Sequence, residues 1–146
     1  MTSRDGISLE QTHHIRDSCL CLHVQRAARV VARRFDDALR PLGLTNGQFS
    51  LLVSLNRPQA ASMSAVASLL AVDRTTLTAN LKPLERHGLL KIAADKTDRR
   101  SRTIVLTAKG RKLIKTAYPV WERTHDVLEE PLKAPDRLRA DLLALS

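Results

Sequence analysis

The stretch SMSAVASLLAVDRTTLTANLKPLERHGLLKIAADKTDRRSRTIVLT, residues 62–107, constrains the fold more than any other part of the chain. Ser62 is suited to cap a short helix running to Leu70, with Val66, Leu69 and Leu70 expected inside. Only Ala71 and Val72 then separate it from Asp73, a second capping residue that opens the next helical run. Gly88 ends that run. LLKIAA reads as a strand, DKTDRRS as a polar turn, and RTIVLT as a returning strand rich in β-branched residues. Two helices joined by a tight turn and followed by a basic-tipped hairpin describe a winged helix-turn-helix.

The flanks are helical. From Ser18 to Arg40, apolar residues recur at three- and four-residue steps, and Pro41 and Gly43 stop the pattern. Thr45 with Gln48 forms a capping-box signature ahead of an apolar helix expected to end near Arg57-Pro58. Thr107 caps a long helix in which Pro119 is expected to kink rather than terminate, because the pattern resumes at Trp121. PLKAP is a loop, and DRLRADLLAL a terminal amphipathic helix. The expected fold class is mainly α with a small β-wing, in a single domain over 1–146. Residues 45–106 form the winged helix-turn-helix core, and 8–42 and 107–146 supply dimerisation helices. A small winged core cannot cover the apolar stripes of both 18–40 and 136–145. They are therefore expected to bury each other across a two-fold axis, as a homodimer.

Charge narrows the function. The chain carries a net +9, but nine lysines and arginines stand between residues 91 and 115 against two aspartates, a local surplus of +7. Such a patch is the footprint of a polyanion binder. Its densest part falls in a turn rather than on an apolar-faced helix, which disfavours a membrane-surface role. No apolar run reaches the ~18 residues of a membrane span. The opening MTSRDGISLEQTHH lacks the apolar core of a secretory signal, and two cysteines make no disulfide framework, so a cytoplasmic location is expected. No H-E-x-x-H, Gly-rich phosphate loop or G-x-S-x-G elbow occurs, so neither catalysis nor a metal or cofactor is expected.

The second helix of the motif presents an unusual face. At ~100° per residue, Leu77, Leu81 and Leu84 form one stripe, and Thr75, Thr76, Ala79, Lys82, Pro83 and Arg86 lie opposite, with Thr78 on the flank. Threonine is a mediocre helix former, so helix stability does not account for three of them in four positions. Short hydroxyl side chains permit close approach to phosphates and base edges, and their methyls can meet a thymine methyl. Lys82 and Arg86 can neutralise phosphates. Pro83 leaves the Ala79 carbonyl without its intrahelical partner and is expected to bend the helix. At the wing, Arg99, Arg100 and Arg102 crowd a turn with little room for burial, a composition suited to a narrow minor groove. Asp98 is expected to hold the Arg100 guanidinium. Ser62, Ser64 and Arg74 complete the expected DNA-contacting set. The alternative of a single-stranded RNA module is disfavoured by an aromatic content of 3%.

LTNGQFSLLVSL, SMSAVASLLAVDRTTLTANLKPLERHGLL and DKTDRRSRTIVLTAKG resemble the MarR family of bacterial transcription regulators, over about Cys19 to Glu130. The D-x-R wing element Asp98–Arg100, followed by VLT, is the most specific part. The resemblance implies a homodimer with intertwined N- and C-terminal helices, on a palindromic operator in double-stranded DNA. Each recognition helix would enter the major groove and each wing the adjacent minor groove, and a small ligand or oxidant would weaken binding. Ala79 departs from the pattern, since many relatives carry arginine there.

Two regulatory readings follow. An effector must favour one dimer arrangement over another, and the seam between dimerisation helices and DNA-binding lobe is the natural place for it. His23, Arg26, Phe49 and Met63 are its expected lining, suited to an aromatic carboxylate or phenol that would release a repressor from DNA. The alternative is a peroxide-sensing thiol at Cys19, four residues from His23 on a helix face, with Cys21 pointing away. A thiol peroxidase using Cys19 is the enzymatic rival, and is not expected.

Overall fold

The computed structural model describes residues 6–98 and 100–146. Seven helices and three short strands follow one another: α1 (Leu9–Ser18), α2 (Leu20–Leu39), α3 (Asn46–Ser54), β1 (Ala61–Ser62), α4 (Met63–Leu69), α5 (Arg74–Arg86), β2 (Leu90–Ala94), β3 (Arg102–Leu106), α6 (Ala108–Glu129) and α7 (Pro135–Ala144). A 3-10 turn at Arg40–Leu42 closes α2. This is a helical protein with a small β-wing. None of the helices described is long and apolar enough to cross a membrane.

Side-chain caps set the helix starts. Thr45 and Gln48 form the reciprocal capping box of α3, and Ser8 with Gln11 does the same for α1. Ser62, Asp73 and Thr107 each accept from a backbone N–H three residues on, opening α4, α5 and α6. The ends are equally local. After α5 the Leu89 N–H donates to the Leu84 carbonyl and the Gly88 N–H to that of Glu85, with Gly88 at φ +72°. That is a Schellman cap with glycine in the left-handed position it needs. The same pair of bonds closes α4, Val72 to Ala67 and Ala71 to Ser68, but here Ala71 takes the positive φ of 53°. An alanine at this angle is strained by about 1 kcal/mol, and the strained residue is the one that sets the turn into α5.

The core is built on leucines. Leu39, Leu52, Leu77, Leu81, Leu84, Leu90, Ile104 and Val66 are all fully buried. The strands form one antiparallel sheet in the order β1-β3-β2, with Leu90 opposite Leu106 and Ala94 opposite Arg102. The two-residue β1, which the sequence reading did not foresee, pairs Ala61 with Ile104 and Ser62 with Thr103. Ser62 thus ties the start of α4 to the wing while capping the helix.

Three expectations change. The helix expected from Ser18 is preceded by a separate helix, and extended backbone at Cys19 (ψ 109°) divides the two. The helix after Thr45 stops at Ser54 instead of near Arg57-Pro58, because the chain must turn back into β1. Leu69 is exposed and Leu70 half-buried rather than both inside, since α4 is so short that it fully buries only Met63 and Val66. Pro83 lies inside α5, which runs from Arg74 to Arg86, and is half-buried. Pro119 likewise lies inside an α6 that continues past it.

Gly110 marks the closest approach. A Cβ there would stand 2.2 Å from the Leu89 carbonyl oxygen and 2.8 Å from Leu106 Cδ1. Gly110→Ala should therefore lower stability by about 1–3 kcal/mol, as overpacking does. Gly47→Ala, inside α3 with nothing within 4 Å, should raise it by up to about 1 kcal/mol from helix propensity. Urea unfolding midpoints of the two variants check both signs.

Candidate nucleic-acid interface

The leucine stripe of α5 fixes what its other face presents. With Leu77, Leu81 and Leu84 locked in the core, Arg74, Thr75, Thr76, Ala79, Lys82 and Arg86 are exposed. Thr78 is half-buried and turns its hydroxyl back to donate to the Arg74 carbonyl at 2.8 Å, so it offers outward no free donor. Asp73 caps the helix at 2.7 Å from the Thr76 N–H. The bonds from Thr76 hold its carboxyl below the ordinary aspartate value, backbone before side chain. Ser64 is exposed on α4, whereas the Ser62 hydroxyl is engaged as a cap.

The wing turn is a built loop. Asp95 accepts from the Thr97 N–H at 3.0 Å and hydroxyl at 2.9 Å, and the Asp95 N–H reaches the Ser101 carbonyl. Asp98 accepts from the Arg100 N–H at 3.0 Å and from the Ser101 hydroxyl at 3.2 Å. It therefore shapes the turn's backbone, and no ion pair to the Arg100 guanidinium accompanies this among the described residues. That corrects the expected role: an aspartate two residues upstream is placed for the backbone N–H, not for a side chain pointing outward. Arg100 and Arg102 are both exposed, and Arg99 lies outside the described residues.

A residue absent from the expected set joins the two elements. Glu85 Oε2 accepts from the Ile92 N–H at 3.0 Å, tying α5 to the first wing strand. The signal was present in the sequence. Glu85 is the one acid within α5, and an acid on a helix meant for phosphates is out of place unless it is engaged.

Behind this surface lies a cavity of about 760 Å³ between α2, α3, the end of α4, and α6. Phe35, Phe49, Leu70, Ile114, Tyr118 and Trp121 are among its walls. Of the four expected lining residues only Phe49 lines it. His23 and Arg26 are exposed on the outer part of α2, and Met63 is buried elsewhere in the core. The outcome has a helical cause: residues 28, 31, 32, 35 and 39 form the inner stripe of α2, and positions 23 and 26 fall outside it. No charged residue lines the cavity. Three of its polar groups already donate within the protein: Ser54 to the Leu51 carbonyl, Tyr118 to Glu122, and Asn46 to Asp36.

Comparison with known proteins decides the family. The MarR family model matches residues 44–101. The solved structure of the M. tuberculosis transcriptional regulator MosR in complex with DNA is 39% identical, over 88% of this chain and 93% of that one, with a TM-score of 0.81. The chain belongs to the MarR family. The transcriptional repressor CouR, bound to a 23-mer DNA duplex, is 30% identical over 90% of this chain and 94% of that one, with a TM-score of 0.78. The transcriptional regulator TtmR of Methylorubrum extorquens is 38% identical over 97 residues, which is 66% of this chain but only 50% of TtmR. The chain thus matches about half the length of that curated relative.

The cysteines of this MarR chain sit differently from the expected helix face. Cys19 is half-buried at the break between α1 and α2. His23 Nδ1 lies 2.8 Å from the Cys19 carbonyl oxygen, so the imidazole is engaged with backbone. Exposed Cys21 accepts from Gln25 Nε2 at 3.1 Å. Among the described residues no three His, Cys, Asp or Glu side chains are grouped to hold a metal ion.

Asp36 braces the cavity wall. Its Oδ1 accepts from the Asn46 N–H at 2.7 Å and from Asn46 Nδ2 at 2.8 Å, joining α2 to the start of α3. The backbone bond first and the side-chain bond second hold its carboxyl below the ordinary 3.8. A depressed folded pKa means stability that is present above the ordinary value and lost as pH falls through the folded one. Asp36→Asn should therefore be less stable than the parent at neutral pH, and the difference should shrink by pH ~3. Urea midpoints measured down that range check the sign.

Proposed function

We propose that this chain is a sequence-specific regulator of transcription that binds a palindromic operator in double-stranded DNA as a homodimer, and represses until a small phenolic effector loosens it. The observation that carries this reading is the union of α5 and wing. One surface holds exposed Thr75, Thr76, Lys82 and Arg86, and Glu85 fastens it to a hairpin whose tip offers Arg100. The helix supplies hydroxyls and methyls for the major groove, and the wing an arginine for the minor groove. MosR and CouR, both reported with DNA, support the same partner. Recognition helix, wing and outer helices act as one domain in this reading.

The dimer is supported by uncovered apolar surface. Leu9, Ile15, Leu20, Leu22 and Val24 at one end of the chain, and Val127, Leu138, Leu142 and Leu143 at the other, are exposed. A second copy covers them through an isologous contact and sets two recognition helices one DNA turn apart.

The cavity favours a phenol over a carboxylate. A carboxylate in an uncharged wall would be desolvated without a counter-ion, whereas a phenol brings the donor that Tyr118, Ser54 and Asn46 oxygens can accept. The expected cationic lining is not there to hold an acid. A thiol switch at Cys19 is the rival reading, and a half-buried position at a helix break is its support.

Two measurements test the proposal. Arg100→Ala should weaken operator binding more than tenfold with the fold intact, at two chains per duplex. The parent should lose about three to five decades of affinity between 50 and 200 mM salt if it makes roughly 6–10 phosphate contacts. Unchanged affinity in Arg100→Ala would remove the wing from the interface. For the effector, phenol should perturb the emission of Trp121, the one tryptophan, and release DNA, with benzoate far weaker. Release by peroxide in the parent but not in Cys19→Ala, with neither aromatic active, would hand regulation to the thiol.

A further inference from the structure

The basic segment at residues 91–115 divides into two groups that the fold holds apart. Lys91, Lys96, Arg100 and Arg102 belong to the wing, whereas Lys109, Arg111, Lys112 and Lys115 fall within the first eight residues of α6. The second group stands at the base of a hairpin whose five-residue strands reach about 16 Å. The wing's cations are assigned to DNA in the proposed reading; those of α6 are not part of that assignment.

Two of them line a cleft of about 530 Å³. Leu42 from the turn after α2, His87 and Leu89 beyond α5, and Lys109, Lys112 and Leu113 of α6 form its walls, and none of its lining residues is acidic. Leu89 is buried, and Leu42 and Leu113 are half-buried, so the floor is apolar. Lys109 Nζ gives one of its donors to the His87 carbonyl at 2.8 Å. Lys112 takes part in no ion pair among the described residues. The first turn of α6 contains no acid, so the helix dipole disfavours the cations there, and Lys109 offsets this through the His87 carbonyl at the end of α5. Two ammonium groups three residues apart repel each other, and an anion between them would relieve both.

We propose that this cleft binds a small organic anion, a carboxylate with an apolar body. The head group would sit against Lys112, the His87 ring and the remaining donors of Lys109, and the body on Leu42, Leu89 and Leu113. The volume suits such a ligand. The cleft adjoins only the far end of the recognition face, at Arg86 beside His87: Arg74, where α5 begins, is about 20 Å along the helix from His87, and Val24 is on the order of 25 Å from Leu42. The cleft also differs in charge from the neutral cavity behind Phe49, so the two would select opposite ligand classes.

The test uses the full chain, with hexanoate as probe and hexanol as the uncharged control of equal length. Calorimetric titration should show saturable binding of hexanoate at millimolar concentrations, about tenfold or more weaker in Lys112→Gln, as the loss of a charged hydrogen bond predicts. Lys112→Arg should restore it, and hexanol should not compete. Hexanoate should raise the melting temperature of the parent and not of Lys112→Gln. Equal binding to parent and Lys112→Gln, or no saturation at all, would overturn the proposal. So would a uniform loss of duplex binding in Lys112→Gln with a shallower salt dependence, because the lysine would then be a phosphate contact. The outcome does not depend on whether the chain represses transcription, since binding is read without DNA.

Discussion

Everything that touches DNA in the proposed reading hangs from one hydrogen-bonded joint. Thr107 donates its hydroxyl to the Gly88 carbonyl at 2.6 Å and its N–H to the Leu89 carbonyl at 3.1 Å, while its own oxygen caps α6 through the Gly110 N–H. Lys109 reaches the His87 carbonyl beside it. The end of α5, the root of the wing and the start of α6 are therefore held within one cluster of bonds. These carbonyls belong to a helix end, where backbone groups have no helical partners of their own. The joint satisfies them and fixes a geometry at the same time. Gly110 is what lets the backbones come so close, since any side chain there would occupy the space of the Leu89 carbonyl.

From that joint, rigidity passes outward by two routes. The leucine stripe of α5 locks rotation about its own axis, because turning Thr75 and Lys82 inward would bring Leu77 and Leu81 into water, at roughly 1.5–3 kcal/mol each. Glu85 then carries the helix's position to Ile92 and so into the wing. A recognition surface made from two elements is useful only if their spacing is constant, and a charged acceptor on a backbone N–H is among the stronger bonds available for that. The acid sits on the wing side of α5, where its charge serves the spacing and leaves the cationic face to Lys82 and Arg86.

The parts of this fold that were legible in the sequence are those set by local bonding. Thr45 with Gln48, Ser62, Asp73 and Thr107 announce their helices because a capping side chain acts within three residues of itself. The winged order of elements follows from those caps and from Gly88. What stayed hidden depends on contacts distant in sequence. β1 is two residues long and exists only because β3 lies beside it, and Leu69 leaves the core only because α4 has so few turns. The cavity lies between α2, α3, the end of α4 and α6, and of the side chains expected to line a ligand site only Phe49 is among its walls. Periodicity marks α2 as amphipathic along its whole length, yet only the stripe from Ala28 to Leu39 faces α6, the outer stretch being left for another surface. His23 and Arg26 belong to that outer stretch. Asp98 was misassigned for a related reason: proximity in sequence favours the backbone N–H over a flexible guanidinium.

The position of the cavity explains how an uncharged ligand behind Phe49 would reach DNA. Its wall includes Leu69 and Leu70, and the next residue is Ala71, held at a positive φ that alanine tolerates poorly. That strained turn is all that separates α4 from the cap of α5. A ligand pressing on Leu70 therefore acts one residue away from the angle that aims the recognition helix, without needing to disturb the leucine core. The same ligand would touch Ile114 and Tyr118 on α6, whose outer part carries Val127, one of the exposed apolar residues assigned to the second copy. In the proposed dimer it would thus bear on both the aim of each recognition helix and the distance between the two. Effector coupling is typically 1–3 kcal/mol, and relief or increase of roughly 1 kcal/mol of strain in each of two chains is of that order. The coupling requires no large motion, only that the bound ligand fit one setting of the Ala71 turn better than the other.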